Sequence, residues 1–416
     1  MYCKSVLPNG LRIVSEAIPY VKSVTLGIWV GTGSRFEQEY NHGISHFIEH
    51  MIFKGTHNRS AKDIAEAVDS VGGQLNAFTG KEYTCYYIKV LDTHLELAID
   101  ILSDMLLSSK FDGEDIKRER EVVLEEIHMY EDTPDEIIYD LLFKGIWKNH
   151  PLAFPVTGEC SSILPMTRED IINFVKDFYT PDNIIFSLAG NFDSDQVIEQ
   201  IKSNFEHLND DAKNYKLPSP ELNPVVIVNE KDIEQAHLCI ATRGINVDHM
   251  DRYPLSIIDI ALSGGISSRL FQEVREKRGL AYTINSYKAM YRSTGIFGVY
   301  AGTSVNNIKE VINIVLNEFA TVKENALTEE ELTRAKKQLK GCMLLGLESM
   351  YYRSYRNVHS EFYFNKIYNV EEVCQIIDNI SVQDIKRVAD YIFTPEYYAL
   401  SVIGPKNIPK EYSLYK

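Results

Sequence analysis

One order of elements occurs twice along this chain, and that repetition limits the possible folds more than any other feature. In the first half, strand patterns over 11–15 and 23–30 lead into an apolar helix and an amphipathic helix over 63–71. A hairpin over 74–79 and 83–90 and a helix over 95–107 follow. In the second half a strand pair over 225–228 and 237–242 is followed by a helix over 254–263, a hairpin over 282–287 and 295–301, and a helix over 307–319. Gly73-Gln74-Leu75 aligns with Gly279-Leu280-Ala281, and 84–90 with 295–301, offsets of 206 and 211 residues. A period that long denotes a duplicated domain, not a solenoid unit. The expected fold is α+β, with two homologous domains, 1–206 and 225–416, each a mostly antiparallel sheet with helices packed on one face. The stretch 207–224 is polar, holds Pro218, Pro220 and Pro224, and reads as the linker between them. At 416 residues the chain is long enough for two well-filled cores.

The two copies differ where chemistry would sit. The first reads His46, Phe47, Ile48, Glu49, His50; the second, at the matching place, reads Pro254, Leu255, Ser256, Ile257, Ile258. On a helix, His46 and His50 stand one turn apart on one face, so two imidazoles can share a metal ion. Glu49 reaches the same patch without having to be a ligand, as a general base beside a metal centre must. A helix histidine is ordinarily a satisfied core or surface residue, so the pair alone does not establish a site.

The helix over 115–130 offers a third ligand. Glu126 has Val122, Val123, Met129 and Tyr130 at three and four positions, all apolar neighbours, whereas Glu125 is flanked by Glu121 and His128 and can face water. A carboxylate on an apolar stripe is costly to bury unless a cation compensates it. Glu126 is therefore the expected third ligand, and Glu119, two turns earlier on the same face, can support a ligand from behind. The hairpin strand 74–79 carries small residues, Asn76 and Ala77, that leave an edge open to an extended peptide. An ordinary meander hairpin has the same pattern.

A formal charge of −16 argues against nucleic acid or an anionic membrane as the main partner. The N-terminus lacks the apolar run of a secretory signal, and no window approaches the 18 or so apolar residues of a spanning helix. The six cysteines are scattered without a C-x-x-C pair, so a disulfide framework is not expected and the cytoplasm is the default location.

Five blocks together are similar to the pitrilysin-type zinc metallopeptidases, the inverzincins, and most to their processing-peptidase branch. They are 31–35 (GTGSR), 46–56 (HFIEHMIFKGT), 75–77 (LNA), 120–127 (REVVLEEI) and 267–282 (SSRLFQEVREKRGLAY). The resemblance covers essentially the whole chain. It implies one zinc ion per chain on His46, His50 and Glu126, with Glu49 as catalytic base and Glu119 as an accessory acid. It also implies that Arg275 and Tyr282, in the metal-free half, hold the substrate backbone. The implied activity is endopeptidase cleavage of oligopeptides or unfolded N-terminal segments in an enclosed chamber. A homodimer is the economical assembly, with a heterodimer of homologous subunits or a monomer as alternatives. The alternative function is a catalytically silent chamber or scaffold subunit that binds extended peptides for a partner peptidase. The same nitrogen and oxygen ligands also accept manganese or cobalt. Tyr83 departs from a frequent family histidine and is left without a role.

Overall fold

The computed structural model describes residues 2–208 and 218–414, so the middle of the expected linker, 209–217, lies outside the described residues. Residues 218–224 form neither helix nor strand. In chain order the first half runs β1 (Tyr2–Val6), β2 (Arg12–Ala17), β3 (Ser23–Val30), α1 (Ile44–Ile52), α2 (Ala61–Asp69), β4 (Gln74–Thr79), β5 (Thr84–Leu91) and α3 (Leu95–Leu107). It continues with α4 (Gly113–Glu131), α5 (Pro134–Ile146), α6 (Cys160–Ile163), α7 (Arg168–Phe178), β6 (Ile184–Gly190) and α8 (Ser194–Phe205). The second half runs β7 (Val226–Glu230), β8 (Ala236–Arg243), α9 (Arg252–Ser263), β9 (Ala281–Met290), β10 (Gly295–Thr303) and α10 (Ile308–Asn325). It ends with α11 (Glu329–Gly346), α12 (Met350–Phe364), α13 (Val370–Asn379), α14 (Val382–Ile392) and β11 (Ala399–Gly404).

The α+β class and the two-domain duplication are as expected. Over the described residues the first sheet has the order β1-β2-β6-β3-β5-β4 and the second β7-β11-β8-β10-β9. Both are mixed. β2 and β6 pair in parallel in the first sheet, as do β7 and β11 in the second, and the remaining ladders are antiparallel.

Alternation along the strands divides each sheet into two apolar faces. On β3, Leu26, Ile28 and Val30 enter the main core with α1, α3 and α8, while Trp29 points to the other side with Val14, Cys85 and Ile185. That second face is not bare, which corrects the expectation of helices on one face only. It is covered by α12, which brings Val358, Tyr355 and Phe362. The second sheet is built alike. Leu238, Ile240, Val299 and Val402 face the main core, and Cys239, Ala241 and Ile296 face α5 through Ile138, Leu142 and Trp147.

The compact units therefore interleave in sequence. One comprises 1–129, 154–216 and 346–367, the other 130–153, 217–345 and 368–416. A cut at 206 and 225 follows the strands but misplaces one helix from each half. Periodicity shows that a helix has an apolar face, not which sheet that face meets.

Candidate metal centre

Helix α1 lies beside the edge strand β4, and its start is held by an unusual cap. Gly43 adopts a left-handed conformation (φ 91°), and a Cβ there would stand 2.7 Å from the Gly158 backbone. The buried carboxylate of Glu37 accepts from the backbone N–H of Gly43 at 2.6 Å and of Ser45 at 2.9 Å. It thus serves two of the helix's orphan donors. Burial pushes the Glu37 carboxyl up to about 7, against the pull of those hydrogen bonds.

Helix α4 begins on Asp112, whose side chain accepts from Glu114 N–H at 2.8 Å. Its buried stripe is Ile116, Glu119, Val123 and Ile127. The carboxylate sunk in the stripe is thus Glu119, 5% exposed, and not Glu126, whose side chain is 33% exposed. The neighbours that suggested burial for Glu126 include Val122 and Met129, which are themselves 50% and 65% exposed. Apolar neighbours at three and four positions did not mark the core face. Glu126 lies at the flank of the buried stripe.

The structure brings His46, His50 and Glu126 together: one potential ligand atom of each lies within 4.8 Å of the others, the one such group among the described residues. His46 Nε2 stands 3.6 Å from Glu126 Oε1 and His50 Nε2 stands 3.4 Å from Glu126 Oε2. These are too long for good hydrogen bonds, which span about 2.7–3.2 Å. They match the edge of a tetrahedron whose centre is about 2.1 Å from each corner, roughly 3.4 Å. Two imidazoles and a carboxylate, with no thiolate, also leave a fourth position open, the pattern of a catalytic site.

Behind these three residues, His50 Nδ1 lies 2.8 Å from Glu119 Oε1, and Lys54 Nζ holds Glu119 Oε2 at 2.5 Å. If Nδ1 carries the proton, Nε2 is left as a lone pair facing Glu126. Burial works against a charged His50, but the Glu119 hydrogen bond and the charges of Glu126, Glu119 and Glu49 outweigh it and raise its pKa. His46 is 8% exposed and has no such support; burial and then the neighbouring His50 lower it to about 3. His46 is thus a neutral imidazole at every ordinary pH. Glu49, on the same helix, is raised by burial, partly offset by a hydrogen bond from Thr79.

The other expected residues fall as follows. β4 ends the sheet, and its outer side has no strand partner among the described residues. Asn76 on it is exposed and Ala77 half-buried. Arg275 and Tyr282 belong to the second unit, where the guanidinium lies over the Tyr282 ring at 4.8 Å and over Phe271 at 5.0 Å. Tyr282 is 76% exposed, so it stands at the surface of its unit. Tyr83 is an aromatic core residue against Trp29 and Phe362.

Sequence reasoning missed Lys54, Thr79 and Glu37. Lys54 stands four residues after His50, a spacing that places it within reach of the same face. Thr79 and Glu37 meet α1 only through the fold, and no local pattern points to them.

Two family models match, described as "Insulinase (Peptidase family M16)" over residues 12–159 and "Peptidase M16 inactive domain" over 165–339. An uncharacterized zinc protease of Bacillus subtilis is 42% identical over 96% of this chain and 98% of its own. An uncharacterized zinc protease of Streptomyces coelicolor is 40% identical, covering 97% and 89%. The crystal structure of a protease from Helicobacter pylori superposes with a TM-score of 0.89 at 24% identity, covering 97% of this chain and 99% of that one. A Pseudomonas fluorescens structure described as a peptidase M16 inactive domain gives 0.91 at 20% identity, covering 99% and 100%. These two likenesses concern the fold alone. Family models that together cover most of the chain, and relatives of this identity along nearly its full length, show that the chain belongs to peptidase family M16.

Proposed function

We propose that the chain is a zinc-dependent endopeptidase acting on oligopeptides or unfolded segments. What carries this reading is the pair of nitrogen-to-carboxylate distances, 3.6 and 3.4 Å, poor for hydrogen bonds and suited to three ligands around one ion. The relatives' description as zinc proteases supports the choice of metal.

His46 and His50 would hold the ion through Nε2 and Glu126 through its carboxylate, with Glu119 and Lys54 orienting His50. When bound, zinc supplies a positive centre that acidifies water and polarises a carbonyl. Glu49 accepts the proton of the attacking water and hands it to the leaving amine. Burial favours its protonated form, the form it must hold between the two transfers. The free edge of β4 offers main-chain groups to an extended peptide, with Asn76 and Ala77 beside it. By the resemblance, Arg275 and Tyr282 hold the substrate backbone, the peptide is enclosed in a chamber, and the assembly is a homodimer.

Metal analysis of the purified protein should find about one zinc per chain. Glu49→Gln should keep that zinc and abolish cleavage of an unstructured peptide mixture read by mass spectrometry. Wild-type cleavage by Glu49→Gln, or a chain that takes up no zinc, would remove the mechanism.

A further inference from the structure

Thr79 is the last residue of β4, and Glu49 lies on α1. The Thr79 hydroxyl donates to Glu49 Oε2 at 2.5 Å, and the structure gives the Glu49 side chain no other hydrogen bond among the described residues. We propose that Thr79 is a positioning residue for the general base, fixing one carboxylate oxygen so that the other is presented to the attacking water. The proposal rests on the peptidase reading above.

A glutamate side chain reaches its carboxylate through three torsions, and its last one is broad and soft. A single strong hydrogen bond to one oxygen removes much of that freedom, provided the donor is itself fixed. Thr79 is fixed in two ways. Its β-branched side chain is stiff about χ1. Its backbone leads into a turn that a buried network holds in place. Gly80 N–H donates to Tyr83 O at 2.8 Å, Ser34 N–H to Gly80 O at 3.2 Å and Arg35 N–H to Lys81 O at 2.8 Å. The turn residue Glu82 is ion-paired with Arg35, both side chains being essentially inaccessible, and accepts from Tyr363 Oη at 2.8 Å. Gly33 makes this approach possible, since a Cβ there would collide with Gly80 O. The donor's position is therefore set by the hairpin turn, independently of α1. The strand proposed to take the peptide is also the strand that aims the base.

The test compares wild type, Glu49→Gln, Thr79→Val, Thr79→Ala and Thr79→Ser on one internally quenched peptide chosen from the mixture that wild type cleaves. Thr79→Val keeps the shape and loses the donor. It should lower kcat by about 10- to 100-fold, the usual effect of removing an orienting partner, with KM, zinc content and melting temperature unchanged. Thr79→Ser should retain kcat, because it keeps the hydroxyl. Thr79→Ala should fall with Thr79→Val, and it carries the comparison if the valine variant does not fold. Undiminished kcat in Thr79→Val overturns the proposal. So does a Thr79→Ser variant as slow as Thr79→Val, which would assign the effect to the methyl group, or a loss of rate that follows loss of zinc. If wild type cleaves nothing, or Glu49→Gln cleaves like wild type, the peptidase reading itself fails and the role of Thr79 falls with it. If those two controls behave and only the Thr79 series does not, this proposal alone is lost.

Discussion

Glu119→Gln probes the proposed metal centre without touching a proposed ligand. The native carboxylate faces two cations or donors at once, His50 Nδ1 at 2.8 Å and Lys54 Nζ at 2.5 Å, and is 5% exposed. A glutamine fills the same volume but has one acceptor oxygen in place of two. If that oxygen faces His50, the amide NH2 opposes the Lys54 ammonium. If it faces Lys54, the NH2 donates to Nδ1 and forces the proton onto Nε2, the nitrogen needed for the metal. Each orientation therefore weakens zinc binding. Loss of such an outer partner commonly costs about 10- to 100-fold in metal affinity, which is about 1.4–2.7 kcal/mol at roughly 1.4 per decade. The lower end is expected here, because Lys54 is 36% exposed and can turn to water.

The pH dependence gives a sharper signature. Metal and proton compete for His50, whose pKa is raised in the metal-free protein, with Glu119 among the causes. As pH falls through that raised value, above the ordinary 6.5, wild-type zinc affinity declines. In Glu119→Gln burial is opposed by fewer neighbours, the His50 pKa falls, and the decline begins at lower pH. The two affinity curves should therefore lie furthest apart at alkaline pH and converge on acidification. Competition against a fluorescent chelator between pH 5.5 and 8.5 (roughly spanning the ordinary histidine range) measures both. Equal affinity at the alkaline end, or a gap that widens in acid, refutes the argument.

Arg35→Met should take the charged partner from the buried Glu82 carboxylate while leaving its hydrogen bond from Tyr363, since Arg35 and Glu82 are both about 2% exposed; breaking such a pair costs about 3–5 kcal/mol, readable as a lowered urea midpoint of the first unit. In the second unit Arg269 grips Glu331 with two hydrogen bonds of 2.7 Å, and chiefly through them the Glu331 carboxyl is depressed to about 2. Its stabilisation is present above the ordinary 4.5 and is lost as pH falls through the depressed value; Glu331→Gln should remove about 1.5–3 kcal/mol at pH 7 and flatten the acid limb of the stability curve. A chain ending at residue 206 lacks α12, leaving Trp29, Cys85 and Ile185 uncovered. It should bind a hydrophobic dye and fail to melt cooperatively, which calorimetry will show.

Much of the fold was legible because its elements are local. The helix over 95–107 begins and ends where the periodicity places it, and the proposed metal residues share one helix face or one later helix. β1 was missed, since its polar sequence, Tyr2–Val6, alternates weakly and pairs along one side only. Glu126 was picked out for the wrong reason: its apolar neighbours are partly exposed, and the carboxylate that burial isolates is Glu119. The exchanged helices α5 and α12 and the Thr79–Glu49 hydrogen bond were not legible at all. Each depends on which surfaces meet after folding, and two residues 30 apart on different elements carry no periodic signal.

Comparison of the two duplicated corners leads to a last prediction. α9 packs beside the edge strand β9 as α1 packs beside β4, but where α1 carries His46, Glu49 and His50 the second copy places Pro254, Leu255, Ile257 and Ile258 in the core. The first corner holds titratable groups whose charged forms burial disfavours, seen in the lowered His46 and the raised Glu49. Polar groups held out of water weaken the local structure unless a cation or partner compensates them. In the second corner the acidic group on α9 is already compensated: Asp259 meets Lys288 of β9 at 2.5 Å and accepts from Ser286 at 2.5 Å. Zinc should therefore slow amide exchange in α1, α4 and β4 while leaving α9 and β9 as they were, because ligand binding stabilises only the structure that forms the site. Exchange read by mass spectrometry with and without one equivalent of zinc tests this. Equal protection of both corners would mean that the ion acts on the chain as a whole, and that the acid and imidazole groups of the first corner carry no local cost for it to relieve.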